Sequence, residues 1–323
     1  MEAVVVKHFI SHEIWIWMID TNKIKSMLKK SEQLAERYEC KLNLGFSGGK
    51  DSVVLKYFAD YYNIDYIANF NNTQIEQYKG MISFIKTNYT DVHIIHPDKE
   101  NSFFELLKRK GFPSLFRRWC CESLKHSNPK LKDYRVNVMG VRGEESINRL
   151  ERGEISVFGK SKRAERTLEK LKLTFANTDS QIQCEGGKDK VNIYPIFDLK
   201  EKEIFEIIKT ENLIIPDIYN SVKRIGCAFC PFASFHENLN TIKTNPNIVK
   251  MWLKTLGGDF IEIKQRNFFN KTDEIGLFYL YISKSLLTNN LIKQGFQYLN
   301  NKDIYGQTGY EKFKNFLEQY VKL

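Results

Sequence analysis

Within six residues, Ser47-Gly48-Gly49-Lys50-Asp51-Ser52 brings together two glycines, a cation, a carboxylate and two hydroxyls. Adjacent glycines let a backbone turn tightly and approach a ligand closely. If a helix starts there, its free N–H groups and its dipole attract phosphate. The stretch therefore has the makings of an anion cradle. The plainer alternative is a Ser-Gly turn with Asp51 or Ser52 capping a helix. It is not a Walker A loop, because the glycine spacing differs and no Gly-Lys-Ser/Thr closes it.

Two cysteine pairs form the second chemical signal. Cys120 and Cys121 are adjacent and follow Arg117-Arg118-Trp119, and Cys227-Ala228-Phe229-Cys230-Pro231 comes about a hundred residues later. A C-x-x-C turns two thiolates onto one metal, and a second pair would complete a four-sulfur site. Zinc accepts four sulfurs as readily as an iron–sulfur cluster does. The alternatives are a redox pair at Cys227/Cys230 and a partly buried core position for Cys120/Cys121. Six cysteines without a secretory signal read as metal ligands or reactive thiols rather than as a disulfide scaffold. Cys40 fits a buried small apolar residue. Cys184, in the polar segment 179–187, is either an exposed persulfide carrier or an incidental loop cysteine. Arg117 and Arg118 suit bidentate contact with phosphate or sulfate, and surface ion pairing is the alternative.

Positioning these groups takes strands and helices. Lys41–Phe46 alternates as a buried strand does and Val53 opens a helix reaching about Tyr62; a mixed-charge helix covers 22–39. Further strands are expected at Ile64–Phe70, His93–His96 and Val136–Val141, with an edge strand at Val191–Phe197. Helices are expected at 75–88, 101–110 and Lys200–Lys209, the last with Glu201, Glu203 and Glu206 on its outer side. The alternation predicts an α/β protein, a doubly wound and mainly parallel sheet with helices on both faces. Ligands then sit beyond the carboxyl ends of the strands, where Ser47, Asn71 and Arg142 fall. The expected organisation is an N-terminal helical extension (1–40), a nucleotide-binding domain (41–235) with a basic insertion at about 147–190, and a helical, aromatic-rich C-terminal region (236–323).

The 323 residues are 42% hydrophobic and 27% charged, as in soluble globular proteins. No apolar run is long enough to span a membrane, and Ile10–Met18 is broken by His12 and Glu13. A cytoplasmic location is expected, with no membrane partner. The formal charge of +10 favours a polyanion, whether nucleotide, nucleic acid or both. The basic stretch 149–172 either holds DNA or tRNA phosphates or is a solvated surface in which its glutamates pair with neighbours.

The Ser47–Ser52 string resembles the PP-loop of the ATP pyrophosphatase superfamily. Together with Arg-Arg-Trp-Cys-Cys, Gly140-Val141-Arg142-Gly143-Glu144-Glu145-Ser146 and the late C-x-x-C-Pro, it resembles the phosphoadenosine phosphosulfate reductase family over about residues 40–235. The resemblance implies that Ser47, Gly48, Gly49, Lys50, Asp51 and Ser52 grip nucleotide phosphates, with Asp51 on phosphate or Mg2+ and Arg142 facing the anion. It implies a [4Fe–4S] cluster on Cys120, Cys121, Cys227 and Cys230, or three ligands with one iron open to sulfide. Asn71, Asn72 and Thr73 stand where the family reads the nucleoside, although Asn72-Thr73-Gln74 departs from its Asp-Thr-Gly-like segment. Reductases of the family use a cysteine near the C-terminus, and no cysteine follows Cys230 here. The intact PP-loop is also the form of ATP-using relatives. The expectation is therefore the ATP-using branch that includes the DNA phosphorothioation component: ATP with Mg2+ adenylylates an oxygen, pyrophosphate leaves, and sulfur displaces AMP. A sulfur-donor or partner protein would complete that chemistry. The alternatives are a thiol-dependent reductase of adenylyl sulfate or its 3′-phosphorylated form, served by Cys184 or a partner thiol, and a non-catalytic nucleic-acid-binding subunit.

Overall fold

The computed structural model describes residues 21–126, 129–158, 162–176, 189–220, 225–258 and 272–321. Six strands run β1 (Asn43–Gly45), β2 (Ile67–Asn71), β3 (His93–Ile95), β4 (Val136–Met139), β5 (Ile155–Val157) and β6 (Val191–Ile193). The principal helices are α1 (Thr21–Arg37), α2 (Lys50–Tyr61), α3 (Met81–Asn88), α4 (Phe103–Lys110), α5 (Ile147–Arg152), α6 (Lys162–Ala176) and α7 (Glu201–Thr210). They are followed by α8 (Phe235–Thr244), α9 (Pro246–Gly257), α10 (Glu274–Ile282), α11 (Asn289–Asn300) and α12 (Gly309–Tyr320). No helix among the described residues is long and apolar enough to cross a membrane.

The described residues pack as two compact units. One draws on Met1–Asn71, Ile82–Ile95 and Pro129–Lys223, the other on Asn72–Met81, His96–Asn128 and Arg224–Leu323. The first holds a single six-stranded sheet in the order β3-β2-β1-β4-β6-β5. Every pairing is parallel except β5 with β6. Leu44, Val136, Val138, Val191 and Ile193 are buried within it, as expected of strands covered on both faces. On α1, Ile24, Met27, Leu28, Ser31 and Leu34 form the buried stripe, at the three- and four-residue spacing of an amphipathic helix.

Asparagines cross the middle of this sheet. Asn69 donates to Asn43 at 2.8 Å, Asn43 donates to Asn137 at 2.7 Å, and Asn137 donates to the Val191 carbonyl at 3.2 Å. Because each is buried, each needs these partners.

Two expected elements and one residue differ. The Val191 strand lies inside the sheet, because β5 adds an antiparallel edge from within the basic stretch; three residues are too few for their period to register in sequence. The expected 75–88 helix starts only at Met81, since Gln74 takes a left-handed φ of 66° and the chain turns between β2 and α3. Cys40 is half-buried rather than core.

The second unit is helical and centres on aromatic rings. Trp252, Phe103 and Phe278 are fully buried. Trp252 stacks on Tyr281 at 5.0 Å, and Phe229 meets Phe278 edge-on at 4.9 Å. Side chains of Ser234, Asp273, Thr288 and Thr308 cap α8, α10, α11 and α12, which fixes where these helices begin.

Candidate functional site

In the first unit, β1 ends at Gly45 and α2 begins at Lys50, so the Ser47–Ser52 turn caps the carboxyl end of a central strand. Gly48 has φ 72°, the left-handed region that favours glycine. The turn is braced from within. Ser47 N–H donates to Ser52 Oγ at 3.1 Å, and Ser52 Oγ donates to the Gly49 carbonyl at 2.8 Å. Gly49 N–H donates to Ser47 Oγ at 3.3 Å.

The segment after β4 closes the other side. A Cβ on Gly140 would stand 2.7 Å from the Asp51 carbonyl, so β4 leads its chain directly against the first turn of α2. One on Gly143 would meet the Phe197 ring at 2.9 Å. These two close approaches clamp Arg142, whose residue exposure is 2%. Its Nε donates to Asp51 Oδ1 at 2.6 Å, and its other arm pairs with Glu144. Glu144 in turn accepts from the Glu201 N–H at 2.6 Å, tying the site to the start of α7.

Lys50, buried in its first helical turn, reaches Asp51 at 3.6 Å and Glu201 at 3.4 Å. Phe205 and Tyr219 cover its ammonium with ring faces at 5.7 and 5.4 Å. Glu201 thus turns toward the site instead of lying on the helix's outer side, and Glu203 caps α7 through the Lys200 N–H. Glu206 Oε2 is a buried oxygen rather than a solvated one. Two cations set against Asp51, Glu144 and Glu201 leave room in the charge balance for a cation bound together with phosphate. Mg2+ fits this donor set, since it commonly takes one or two carboxylates and otherwise phosphate and water.

Asn71 closes β2 in this unit. Asn72 and Thr73 belong to the second unit, and their polar groups are engaged locally. Asn72 Nδ2 lies 2.9 Å from His96 Nδ1 and its Oδ1 accepts from the Gln74 N–H; Thr73 bonds Glu76 through N–H and hydroxyl.

The second unit brings the two cysteine pairs together. Trp119, buried, stacks on Phe103 at 5.4 Å and donates to the Gly111 carbonyl at 3.1 Å, which anchors the helical turn Trp119–Cys121. A π-helical turn, Glu122–His126, continues it; such turns recur at functional positions. Cys227 forms a β-bridge with Glu76, and Ala228 N–H donates to the Ile75 carbonyl. Phe229 takes φ 54°, rare for a bulky residue, and its carbonyl accepts from Tyr281 Oη at 2.8 Å.

The thiols act on one another. A hydrogen bond between Cys120 and Cys121 raises the Cys120 thiol and lowers Cys121 below the ordinary range; Lys125 and Arg118 add to the lowering. Lys125 is pushed up chiefly by the charge of Cys227, to which it also hydrogen-bonds. Burial pushes Cys230 up, and burial with the nearby thiols pushes Tyr281 well up. Arg118, exposed, lies over Phe232 at 5.3 Å, and Arg117 is exposed as well. None of the five described cysteines is in a disulfide.

In type and number the four thiols suit a cluster. As placed, however, they do not form a closed cage, and no group of three or more metal-ligating side chains converges among the described residues. Cys184 lies outside the described residues. Glu144 stood inside a motif the sequence displayed, whereas Phe205, Tyr219, Glu76 and Lys125 carried no local signal.

In the first unit a β-strand, glycine turn and helix with an arginine clamp define a PP-loop fold, and the second unit carries two cysteine pairs. Residues 41–233 match the phosphoadenosine phosphosulfate reductase domain, and the chain belongs to that family. It is 28% identical over 251 residues to an uncharacterised protein of Methanocaldococcus jannaschii, covering 75% of this chain and 54% of that one. A second protein of that organism is 26% identical over 232 residues, covering 68% and 42%. The chain thus spans about half the length of these curated relatives. Among solved structures, a phosphoadenylyl-sulfate reductase from Candida auris is similar with TM-score 0.37 and 14% identity, covering 61% of this chain and 88% of that one. A U34-tRNA thiolase from Methanococcus maripaludis, solved with its [4Fe-4S] cluster, gives TM-score 0.37 and 16% identity, covering 77% and 82%.

Proposed function

We propose that this chain is an ATP-dependent sulfurtransferase. The PP-loop binds ATP with Mg2+, an acceptor oxygen takes the adenylyl group, pyrophosphate leaves, and sulfur then displaces AMP. The observation that carries this reading is the pair of buried cations at the strand ends, Lys50 on the glycine-built turn after β1 and Arg142 in the segment after β4. Burying two cations is costly unless anions meet them. Here Asp51, Glu144 and Glu201 meet them with one carboxylate in excess, a balance that suits a polyphosphate arriving together with Mg2+. Arg142, held rigidly by its two glycine contacts, orients charge developing on the phosphates, a role of position and electrostatics.

Cys120, Cys121, Cys227 and Cys230 would hold an iron–sulfur cluster, which when bound supplies an iron centre able to carry sulfide. Lys125 hydrogen-bonds Cys227 and, with Arg118, helps hold the Cys121 thiol below its ordinary range, the direction a metal-ligating thiolate needs. Zinc on the same four sulfurs is the other metal the donors allow. The acceptor in this reading is a nucleic acid met by the basic face of α6, where Lys162, Arg163 and Arg166 are exposed.

The test is calorimetric titration of anaerobically prepared protein, with magnesium, by ATP, adenylyl sulfate and 3′-phosphoadenylyl sulfate. Binding of ATP with pyrophosphate release on adding acceptor supports the reading. Preference for either sulfated nucleotide replaces it with thiol-dependent reduction. Unchanged function in cells with Asp51→Ala would leave only a non-catalytic binding subunit.

A further inference from the structure

We propose that Tyr219 is a removable cap on the phosphate-binding turn, so that a ligand enters only when this side chain swings away. The inference rests on reading the Ser47–Ser52 turn as a nucleotide phosphate site. The backbone N–H of Lys50, first residue of α2, donates to Tyr219 Oη at 3.0 Å. That N–H is one of the donors a helix start leaves without a backbone partner, the kind that binds anions. A phenol oxygen there stands in for a phosphate oxygen.

The contact is close. A Cβ on Gly49 would come within 3.0 Å of the same hydroxyl, so the phenol lies directly over the glycine turn. The ring also covers the Lys50 ammonium at 5.4 Å, and Phe205 covers it at 5.7 Å, the two rings meeting edge to face at 6.4 Å. Glu201 lies 3.4 Å from the same ammonium. Both the N–H and the ammonium of Lys50 are therefore already engaged by distant parts of the chain.

The neutral hydroxyl on the N–H and the two ring faces over the ammonium, which also meets Asp51 and Glu201, are weaker partners than charge-assisted phosphate contacts. A polyphosphate can displace them, while a single phosphate group gains less. The apparent affinity equals the intrinsic affinity multiplied by the fraction of molecules with the cap open. The cap thus filters ligands by phosphate charge.

The experiment titrates Mg–ATP, inorganic pyrophosphate and AMP into the full chain and into Tyr219→Phe and Tyr219→Ala. Phe keeps the ring and loses the hydroxyl, so Mg–ATP and pyrophosphate should bind about five-fold tighter, the worth of one neutral hydrogen bond. Tyr219→Ala should bind them tighter still and narrow their advantage over AMP. Thermal melts without ligand check that both variants fold. If the wild type binds ATP and Tyr219→Phe binds it equally or more weakly, the cap is wrong while the nucleotide reading stands. If no protein binds either polyphosphate, the nucleotide reading fails and the cap with it.

Discussion

Arg142 shows how much one side chain is asked to do. Its Nε meets Asp51 at 2.6 Å and its other arm meets Glu144, which itself receives the Glu201 N–H. Only a planar guanidinium satisfies two carboxylates in this way. Arg142→Lys keeps the charge but not the fork, so one carboxylate loses its partner. We expect about ten-fold weaker Mg–ATP binding with a native melting profile, read by titration and calorimetry; an unchanged affinity would mean that the fork has no part in phosphate recognition. The cysteines pose a sharper residue-scale question, because their sulfurs interact without forming a cage. Loading iron and sulfide anaerobically should bring Cys120, Cys121, Cys227 and Cys230 to a common cluster, with absorption near ~400 nm. Changing Cys227 to Ser should abolish that band and lower bound iron in proportion, and metal analysis of the purified protein separates iron from zinc.

Among the elements, the decisive contact is backbone to backbone. The chain leaving β4 touches the start of α2 so closely that a single methyl on Gly140 would overlap Asp51 and Ser52. Gly140→Ala must push the strand end and helix start apart. Overpacking of this kind typically costs about 1–3 kcal/mol, and here the displacement falls on the N–H groups proposed to meet phosphate. We expect a lower melting temperature together with loss of most Mg–ATP affinity. A variant that melts early yet binds normally would show that the helix start tolerates the shift. The asparagine row linking β2, β1 and β4 serves the same positioning. Parallel strands whose register is pinned by side-chain amides hold the turn after β1 and the arginine after β4 at fixed relative height.

At the scale of the whole molecule, the charge of +10 is not spread evenly. The described part of the basic stretch spans the end of α5, β5 and most of α6, and α6 buries Ala164, Leu171, Thr174 and Phe175 while Lys162, Arg163 and Arg166 stay exposed. Arg163 pairs with Asp189 at 3.4 Å, a contact exposed on the arginine side. Reversing Lys162, Arg163 and Arg166 to Glu should weaken tRNA or DNA binding. It should also reduce the slope of log affinity against log salt by up to about 3. Unchanged binding and slope would remove this helix from the acceptor site.

The sequence by itself determined the turn, the arginine segment and the cysteine pairs, because each depends on local requirements. A left-handed glycine at 48, a helix opening at Lys50 and small residues flanking Arg142 are demands made within a few residues, so they leave a readable string. The parallel sheet was legible from the alternation of strands with helices along the chain, since each local apolar pattern marks its own element. What the tertiary structure decided is which remote groups meet these strings. Tyr219 reaches Lys50 across 169 residues, and no spacing encodes that contact. Glu201 looked like a solvated helix face until its first turn was seen to point at Lys50. In the second unit, Lys125 and Glu76 joined the thiols through a π-helical turn and a single β-bridge, features held by long-range packing rather than by periodicity. Local backbone chemistry is written in the order of residues, whereas the electrostatic surroundings of a site depend on which distant segments the core brings beside it.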